Sequence, residues 1–297
     1  MNWPLVSVLV PCYNHELYIE ECLLSILQQD YANLELIVID DGSSDSSAQR
    51  IRAMSDAHGF QFYQQPNGGV SSALNKGLIH ARGEFIVTHD SDDVMLPGRL
   101  RTQISFLMEN PRVGCVGARA IPIDGQGRKI KSPSTRVIPI YYYRFEELLA
   151  AAYAIGSPVA IYRREAIDNV GGYDPTIKIQ DFQMTLKIAH AGYQVAVLPD
   201  YVTLYRRHDS NISKTAYKQQ LTYDQQVIEP YREYPEYRIG RVAIINKALK
   251  EAVVFDHYFA WQLFKGVSLR EWDRVTWRRF RRWLFKSRFG LRPIRAV

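Results

Sequence analysis

Segments typical of strands and of helices alternate through the first 90 residues, and this alternation limits the possible folds more than any other feature. Residues 5–10 are a short apolar run that Pro11 closes, which is typical of a parallel strand buried on both faces. Further strands are predicted at 34–39, near 60–64 and at 84–88, and helices at 16–29, 46–57, 71–82 and near 97–109. The order βαβαβαβ requires right-handed crossovers, so it predicts an α/β fold with a doubly wound, mostly parallel sheet.

The pattern becomes less regular after residue 118. Prolines and glycines between 119 and 155 predict an irregular excursion that ends in a helix near 146–153. A further helix and strand are predicted at 181–191 and 194–198, and the chain from about 215 is predicted to be mainly helical. We therefore expect three parts, at 1–118, 119–214 and 215–297.

The net charge of the chain is concentrated at one end. Residues 270–297 hold ten basic and two acidic side chains, whereas the other 269 residues carry a net charge of −2. A slightly acidic body without a nucleic-acid recognition motif argues against nucleic acid as a partner.

Cysteine content and segment hydropathy predict the cellular compartment. Cys12, Cys22 and Cys115 are far apart and odd in number, so we interpret them as buried thiols in a reducing compartment. The N-terminus has no basic region and no cleavage site, and no apolar run is long enough to cross a membrane. We expect neither a signal peptide nor a transmembrane segment.

Two acidic clusters, at 40–41 and 90–93, lie at the carboxyl ends of predicted strands. In a doubly wound sheet, ligands bind outside the carboxyl ends of the strands, so both clusters should face one crevice. Asp90, Asp92 and Asp93 would repel one another unless a cation neutralises them, and Mg²⁺ or Mn²⁺ is the natural partner of such carboxylates. For a D-x-D pattern alone, a solvated acidic loop that caps the next helix is the alternative.

Five short motifs occur in a fixed order along the first 93 residues. They are VSVLVPCYN from Val6 to Asn14, ELIVIDDGS from Glu35 to Ser43, NGGVSSALNKG from Asn67 to Gly77, GEFI from Gly83 to Ile86, and DSDD from Asp90 to Asp93. Together they resemble the nucleotide-sugar-binding half of family 2 glycosyltransferases, which have the Rossmann-like GT-A fold. The similarity continues through the GGYD turn at 171–174 and Asp181 to Tyr205–His208, and it does not include the C-terminal region. It implies that 1–118 binds the nucleotide sugar and that 119–214 binds the acceptor and carries the catalytic base. Residues 215–297, which the similarity does not cover, are expected to be a helical extension from their own sequence pattern.

The resemblance also implies which residues would bind a nucleoside-diphosphate sugar. Asp41 would accept a hydrogen bond from the nucleobase, Asp90 would face the ribose and the sugar, and Asp92 would ligate the Mn²⁺ or Mg²⁺ that bridges the diphosphate. The full implied set is Pro11, Tyr13, Asn14, Asp41, Asn67, Gly68, Lys76, Asp90, Ser91 and Asp92. Simpler roles stay open for several residues: Asp40 as a turn and cap residue, Tyr13 in packing, Asn67 and Gly68 in shaping the turn, and Lys76 on a solvated helix face.

Inverting transfer needs a base that takes the proton from the attacking hydroxyl, and the resemblance assigns this role to Asp181. Gln180 replaces the first acid of the family's Glu-Asp pair, which puts the usual contact of that acid in question. An N-cap of the following helix is the alternative role of Asp181. Arg206, Arg207 and His208 are expected near the leaving diphosphate, with His208 as a candidate second metal ligand or as a packing residue.

Between Trp272 and Lys286, aromatic side chains follow one side of a predicted helix and arginines follow the other. This pattern predicts an interfacial helix on an anionic membrane surface, and docking of the aromatic stripe on the catalytic domain is the alternative. The sequence RFRRW at 279–283 matches a motif of processive polysaccharide synthases. We interpret that match as chance, because it lies about a hundred residues beyond Asp181 and no membrane span follows.

The expected activity is metal-dependent, inverting transfer of a sugar, rhamnose or a hexose, from a UDP- or dTDP-linked donor. The expected acceptor is a hydroxyl of a lipid-linked saccharide, such as a lipopolysaccharide core or O-antigen intermediate. The expected location is cytoplasmic, peripheral on the inner face of the cytoplasmic membrane. The alternative is a catalytically inactive nucleotide-sugar-binding or membrane-scaffolding protein on the same fold.

Overall fold

The structure, a computed structural model, describes residues 3–134, 136, 138–208 and 217–288. Within these ranges, no helix is both long and apolar enough to cross a membrane. The chain divides into two compact units, Met1–Phe145 with Ala154–Asp209, and Glu146–Tyr153 with Ser210–Val297. The expected boundary after 118 falls inside a strand of the first unit, and the one after 214 lies close to the division between the units.

One mixed sheet forms the centre of the first unit. Its strands are β1 (Val6–Cys12), β2 (Leu34–Asp40), β3 (Gln61–Gln64), β4 (Phe85–Thr88), β5 (Val94–Met95), β6 (Val113–Asp124), β7 (Tyr141–Tyr143), β8 (Ile161–Arg163) and β9 (Gln194–Arg207). Their order across the sheet is β3-β2-β1-β4-β8-β6-β9-β5, and β7 also pairs with β9.

Helices connect these strands. They are α1 (Ile19–Leu27), α2 (Ser47–His58), α3 (Val70–His80), α4 (Arg99–Glu109), α5 (Phe145–Ala151), α6 (Arg164–Asn169) and α7 (Gln180–His190), and a single 3₁₀ turn spans Ser157–Val159. The predicted helices and strands of the first 110 residues lie within three residues of these bounds.

The first four strands are parallel, with β1 between β2 and β4. Cys12 pairs with Asp40, and Leu9 pairs with Thr88, so the three strands end at the same edge of the sheet. Every residue of β1 is buried, as predicted from its uninterrupted apolar sequence. The predicted fold class, α/β with a doubly wound, mostly parallel sheet and a helical C-terminal region, is confirmed.

Helix α1 covers one face of β1, and helix α3 covers the other. Val8 and Val10 belong to a core cluster with Ile19, Leu23 and Ile26 of α1. On the other side α3 approaches closely because Gly77 has no side chain: a Cβ there would lie 2.9 Å from Ile39 Cδ1. The three cysteines are buried free thiols, as predicted.

Two predictions about the second half of this unit are wrong. Residues 119–124 continue strand β6 and do not begin an irregular excursion, and β9 runs to Arg207 and does not end at 198. The physical reason is mutual pairing: β6 and β9 run parallel from Val113–Gln194 to Asp124–Arg207, with register shifts on the way. Pro122 suggested a break in the first segment, but a long-range partner strand stabilises both segments beyond what local propensity indicates.

The second unit is helical. Its helices are α8 (Tyr217–Ile228), α9 (Glu236–Phe255), α10 (His257–Lys265) and α11 (Arg274–Arg288), with 3₁₀ turns at Glu229–Tyr231 and Leu269–Glu271. Gly240 lets α9 pass against the backbone of Leu149, where a side chain would collide with the carbonyl oxygen. Lys247 of α9 donates to the carbonyl oxygen of Ala152 at 2.6 Å.

Part of the aromatic stripe of α11 packs inside this unit. Trp283 stacks on Trp261 of α10 with ring centres 5.2 Å apart, and its Nε1 donates to the carbonyl oxygen of His257 at 3.1 Å. Phe280 and Phe264 make an edge contact at 5.2 Å. The stripe therefore docks on α10, the neighbouring helix of the same unit, and the sequence had suggested either a membrane or the catalytic domain as its partner.

Candidate active site

Three loops meet where β1, β2 and β4 end, and hydrogen bonds between them fix their positions. The Asn14 N–H donates to Ser43 Oγ at 2.9 Å, and Asn14 Oδ1 accepts from the Ser44 N–H at 2.8 Å. Asn14 has φ of 56°, a conformation that asparagine adopts more readily than most residues. His15 Nδ1 lies 2.7 Å from Ser91 Oγ. The loop after β1 therefore contacts both acidic turns, which share one edge of the sheet as the strand order predicted.

The buried carboxylate of Asp41 organises the loop before α3. Its Oδ1 accepts from the Gly68 N–H at 2.9 Å and from Gln65 Nε2 at 2.7 Å, and its Oδ2 accepts from the Gly69 N–H at 2.8 Å. Asn67 Nδ2 donates to the Asp41 carbonyl oxygen at 3.0 Å. A carboxylate has about four lone-pair positions, so these three donors leave one for a ligand. Asn67 and Gly68 do shape the turn here, and the predicted nucleobase contact of Asp41 stays a prediction.

Gly42 is required where the loop after β2 meets this turn. Its φ is 76°, and a Cβ would lie 2.8 Å from the backbone nitrogen of Asn67. Glycine adopts this conformation without steric cost, and any other residue would displace the neighbouring backbone. The glycine of the Asp40-Asp41-Gly42 sequence is therefore required by the local backbone structure.

Arg206 of β9 holds the loop at Asp90–Asp93. Its backbone N–H donates to Asp93 Oδ1 at 2.7 Å, and its Nε donates to the Asp92 carbonyl oxygen at 2.7 Å. Its side chain is only 2% exposed and pairs with Glu21 at 2.5 Å. The structure therefore places Arg206 as a residue that positions the acidic loop, and the diphosphate contact expected from the sequence stays a prediction.

His15, Asp92 and His208 form a candidate metal site. One ligand atom from each lies within 4.8 Å of the others. His208 Nε2 is 2.9 Å from Asp92 Oδ2, and both side chains are less than a tenth exposed. Burial lowers the pKa of His15 and outweighs the Asp92 charge, which raises it, so the neutral form of the His15 ring is favoured. Neutral imidazole nitrogens and a carboxylate oxygen are ligands of divalent cations, so this set fits the predicted metal.

Sequence reasoning identified Asp92 and His208 but missed His15. The available signal was position: His15 directly follows the motif that ends at Asn14, at the edge where β1 and β4 end. A single histidine is more often a packing residue, so its position alone did not predict a metal ligand. Only the tertiary structure shows that the three ligand atoms lie close together.

A pocket of about 310 Å³ contains both Asp90 and Asp181, and Gln180, Ser157 and Tyr205 also line it. Asp181 is the second residue of α7, and Ile179 precedes the helix. The alternative role of Asp181 as the N-cap is therefore wrong. The two carboxylates that the sequence assigned to donor binding and to base catalysis share one pocket.

The charges in this pocket shift the titration of Asp90. Burial raises the pKa of Asp90 to about 7, and the nearby charges of Asp92 and Asp181 add to the shift, whereas Arg99 opposes it. A cation beside the loop would favour the ionised form of Asp90. Burial and the neighbouring carboxylates therefore both disfavour the ionised form of Asp90.

Arg99 is a second residue that sequence reasoning missed. Its buried guanidinium donates to the carbonyl oxygens of Pro158 at 2.7 Å and Ala160 at 3.1 Å, and its Nε donates to Gln103 at 3.0 Å. Burial lowers the pKa of Arg99 to about 9. Because Pro158 lines the pocket, Arg99 holds one wall of it. An arginine that begins a helix after Pro-Gly gave no signal of burial.

The remaining predicted residues have other contacts. Lys76 Nζ donates to the Gln64 carbonyl oxygen at 2.6 Å. Tyr13 is 49% exposed, so it does not belong to the buried core, and its predicted nucleotide contact stays a prediction. Arg207 is exposed, with its guanidinium 5.9 Å from the ring centre of Tyr205, a residue of the pocket. Pro11 is buried at the end of β1.

Comparison with known proteins identifies the family. A family model described as glycosyl transferase family 2 matches residues 7–171, which is more than half of the chain. The chain belongs to glycosyl transferase family 2. The resemblance drawn from the five motifs is therefore confirmed.

Two curated relatives of this glycosyltransferase are bacterial. An uncharacterized glycosyltransferase of Haemophilus influenzae is 39% identical over 137 residues, which are 46% of this chain and 54% of the relative. The amylovoran biosynthesis glycosyltransferase AmsE of Erwinia amylovora is 27% identical over 213 residues, 70% of this chain and 78% of AmsE. The chain thus spans about half the length of the first relative, and it spans less than a fifth of some others.

A solved structure supports the fold assignment. The mannosyltransferase PcManGT from Pyrobaculum calidifontis, in complex with GDP-Man and Mn²⁺, superposes with a TM-score of 0.65 over 98% of this glycosyltransferase and 89% of PcManGT. The sequences are 21% identical, so this likeness concerns the fold alone. The GT-A fold implied by the motifs is confirmed.

Proposed function

We propose that this glycosyltransferase transfers a sugar, with inversion, from a nucleoside-diphosphate donor to a saccharide hydroxyl, with a divalent metal ion. The observation that carries the proposal is the common pocket of Asp90 and Asp181, together with the cluster of His15, Asp92 and His208, whose Asp92 lies two residues beyond Asp90 in the chain. Inverting transfer needs a base on one side of the sugar and a neutralised diphosphate on the other.

The donor is proposed to bind along the edge where β1 and β2 end. Pro11, Tyr13 and Asn14 come from the first loop, and the remaining lone-pair position of Asp41 would accept the N–H of a pyrimidine base. A UDP- or dTDP-linked rhamnose or hexose is the proposed donor. PcManGT holds GDP-Man, so a guanine nucleotide is the first competitor to compare.

Asp92 and His208 are proposed to hold the metal ion, Mn²⁺ or Mg²⁺. When bound, the ion supplies positive charge to the departing diphosphate. The presence of Mn²⁺ in PcManGT supports this proposal. Arg206 keeps the backbone of Asp92 in place, and the exposed guanidinium of Arg207 is available at the end of β9 for a phosphate oxygen.

Asp181 is proposed as the base that accepts the proton of the acceptor hydroxyl. Asp90 lies in the same pocket, and the charge of Asp181 is one of the causes that raise the pKa of Asp90. Gln180 places a neutral amide where the family's Glu-Asp pair has its glutamate. The replacement leaves Asp181 as the only carboxylate of this residue pair.

The acceptor is proposed to be a lipid-linked saccharide at an anionic membrane surface, on the cytoplasmic side. AmsE acts in amylovoran biosynthesis, which supports a glycan acceptor. Although Phe280 and Trp283 pack against α10, α11 exposes Leu284 and Phe285, and arginines at 281 and 282 are exposed next to them in the chain. Exposed apolar and basic side chains on one helix favour an interface with anionic lipid.

One experiment tests the activity. Release of nucleoside diphosphate from UDP-, dTDP- and GDP-linked sugars is measured with Mn²⁺, with Mg²⁺ and with a chelator. We expect slow, metal-dependent hydrolysis of one donor class without acceptor. Binding of a sugar nucleotide with no release under any of these conditions would instead support the alternative of an inactive binding protein.

A further inference from the structure

We propose that His15 is a third protein ligand of the metal ion, and that the resulting two-imidazole, one-carboxylate site selects a transition-metal dication such as Mn²⁺ over Mg²⁺. The inference rests on the metal-dependent function proposed above. It adds a ligand and an ion class that the family motifs do not specify.

Three separate segments bring the ligands together. His15 follows β1, Asp92 follows β4, and His208 follows β9. Their ligand atoms lie within 4.8 Å of one another. Two atoms bonded to one ion are separated by at most about 4.2 Å, twice a metal–nitrogen bond of about 2.1 Å. Small side-chain adjustments therefore suffice to place all three on one ion.

The His15 ring is oriented for this role. Its Nδ1 lies 2.7 Å from Ser91 Oγ. This contact fits a ring that carries its proton on Nδ1, donates it to Ser91 and keeps the lone pair of Nε2 for a metal ion. The His15 N–H donates to Ser47 Oγ at 2.9 Å, which fixes the backbone. A polar group on the second ring nitrogen is the usual arrangement for a metal-binding histidine.

The rings of His15 and His208 converge from different directions. Their ring centres are 5.8 Å apart and their planes meet at 88°. The ring of Tyr18 packs on His208 at 5.0 Å between ring centres, and the Arg206 guanidinium lies 4.9 Å from the Tyr18 ring centre. These neighbours restrict His208, so the site is largely formed before an ion binds.

The donor set determines which ion it suits. Mg²⁺ prefers oxygen ligands in octahedral geometry and gives up its water reluctantly. Imidazole nitrogen favours first-row transition metals, and the carboxylate of Asp92 accommodates Mn²⁺. A site with two nitrogens and one oxygen from protein still leaves positions for the diphosphate oxygens of the donor.

The test measures metal binding by the full chain without any sugar nucleotide. Mn²⁺ and Mg²⁺ affinities are determined by calorimetry for the unmodified protein and for His15→Ala, His15→Gln and Ser91→Ala. His58→Ala, on an exposed turn of α2, is the matched control. We expect His15→Ala and His15→Gln to weaken Mn²⁺ binding by at least about 10-fold and to change Mg²⁺ binding little, and Ser91→Ala to weaken Mn²⁺ binding by about 10- to 100-fold.

Pulsed electron paramagnetic resonance of bound Mn²⁺ counts the coordinated nitrogens directly. Two imidazole nitrogens are expected in the unmodified protein and one in His15→Gln. Unchanged Mn²⁺ affinity in a folded His15 variant, or a single nitrogen in the unmodified protein, overturns the inference. Mn²⁺ binding that depends on His15 in a protein without transfer activity would leave the inference standing and remove the proposed function.

Discussion

Arg206 Nε donates to the carbonyl oxygen of Asp92 at 2.7 Å, which ties the end of β9 to the acidic loop after β4. The two residues are 114 positions apart in sequence, and the contact is buried. Arg206, which the sequence suggested as a phosphate contact, thus supports the acidic loop from within the protein.

Replacing Arg206 by glutamine should therefore affect both stability and metal binding. The variant loses charge-assisted hydrogen bonds to Asp92 and Glu21, so we expect unfolding free energy to fall by about 1.5–3 kcal/mol. Mn²⁺ affinity should fall too, because the Asp92 backbone is released. Denaturant unfolding and calorimetry measure the two effects. Arg207→Gln, on the exposed neighbour, should leave both near normal, and equal effects in the two variants would contradict this role.

Asp181→Asn should abolish the base while preserving the shape of the pocket. Transfer should slow by about 10²- to 10⁴-fold, the typical contribution of a positioned general base. Binding of the donor nucleotide, measured by calorimetry, should stay within a few-fold. Asp168→Asn, at an exposed position of α6, provides the control for a change of charge. Full transfer activity in Asp181→Asn would remove this residue from the mechanism.

Glu35 should make stability depend on pH in the acidic range. Burial alone would raise the pKa of Glu35, but hydrogen bonds from Ser7 and Arg82 outweigh it and hold the pKa below its usual value. The group therefore contributes stability above its ordinary pKa of about 4.3, and this contribution is lost as pH falls through the folded-state value.

The variant Glu35→Gln tests this dependence. It should be less stable than the unmodified protein at pH 7, because Ser7 Oγ and the Arg82 guanidinium lose a charged acceptor. The difference in melting temperature should shrink as the pH is lowered below about 4. A difference that stays constant across this range would show that the carboxylate charge is not involved.

Membrane binding should depend on the exposed end of α11. We expect Leu284→Ser combined with Phe285→Ser to reduce sedimentation with vesicles that contain anionic lipid. Arg281→Gln combined with Arg282→Gln should weaken the free energy of vesicle binding by about 1 kcal/mol per charge at low salt. Ile79→Ser, an exposed apolar position of α3, is the matched control. These point changes are cleaner than deletion of residues 270–297, which would also uncover Trp261 and Phe264. Equal sedimentation of the unmodified protein and all these variants would contradict a role of α11 in membrane binding.

Local pattern was sufficient for the first half of the sheet. The strands from Val6 to Thr88 are buried parallel strands with helices between them, so their apolar runs, turn residues and helical spacing all indicate the same structure. For β6 and β9 the local signals disagree with the outcome, because prolines and glycines indicate breaks and the pairing partner is about 80 residues away. A strand stabilised mainly by such a partner has a weak local signature.

The sequence by itself determined the family, the fold class and the identity of the acidic residues at the strand ends, because these depend on local order and motif spacing. The tertiary structure alone decided that Arg206 is buried beneath Asp92's loop, that Asp181 shares a pocket with Asp90, and that His15 joins Asp92 and His208. Those roles depend on distances between residues that are remote in the chain. The sequence specifies the chemistry of each side chain, but a ligand set or an ion pair forms only where folding brings its members within bonding distance.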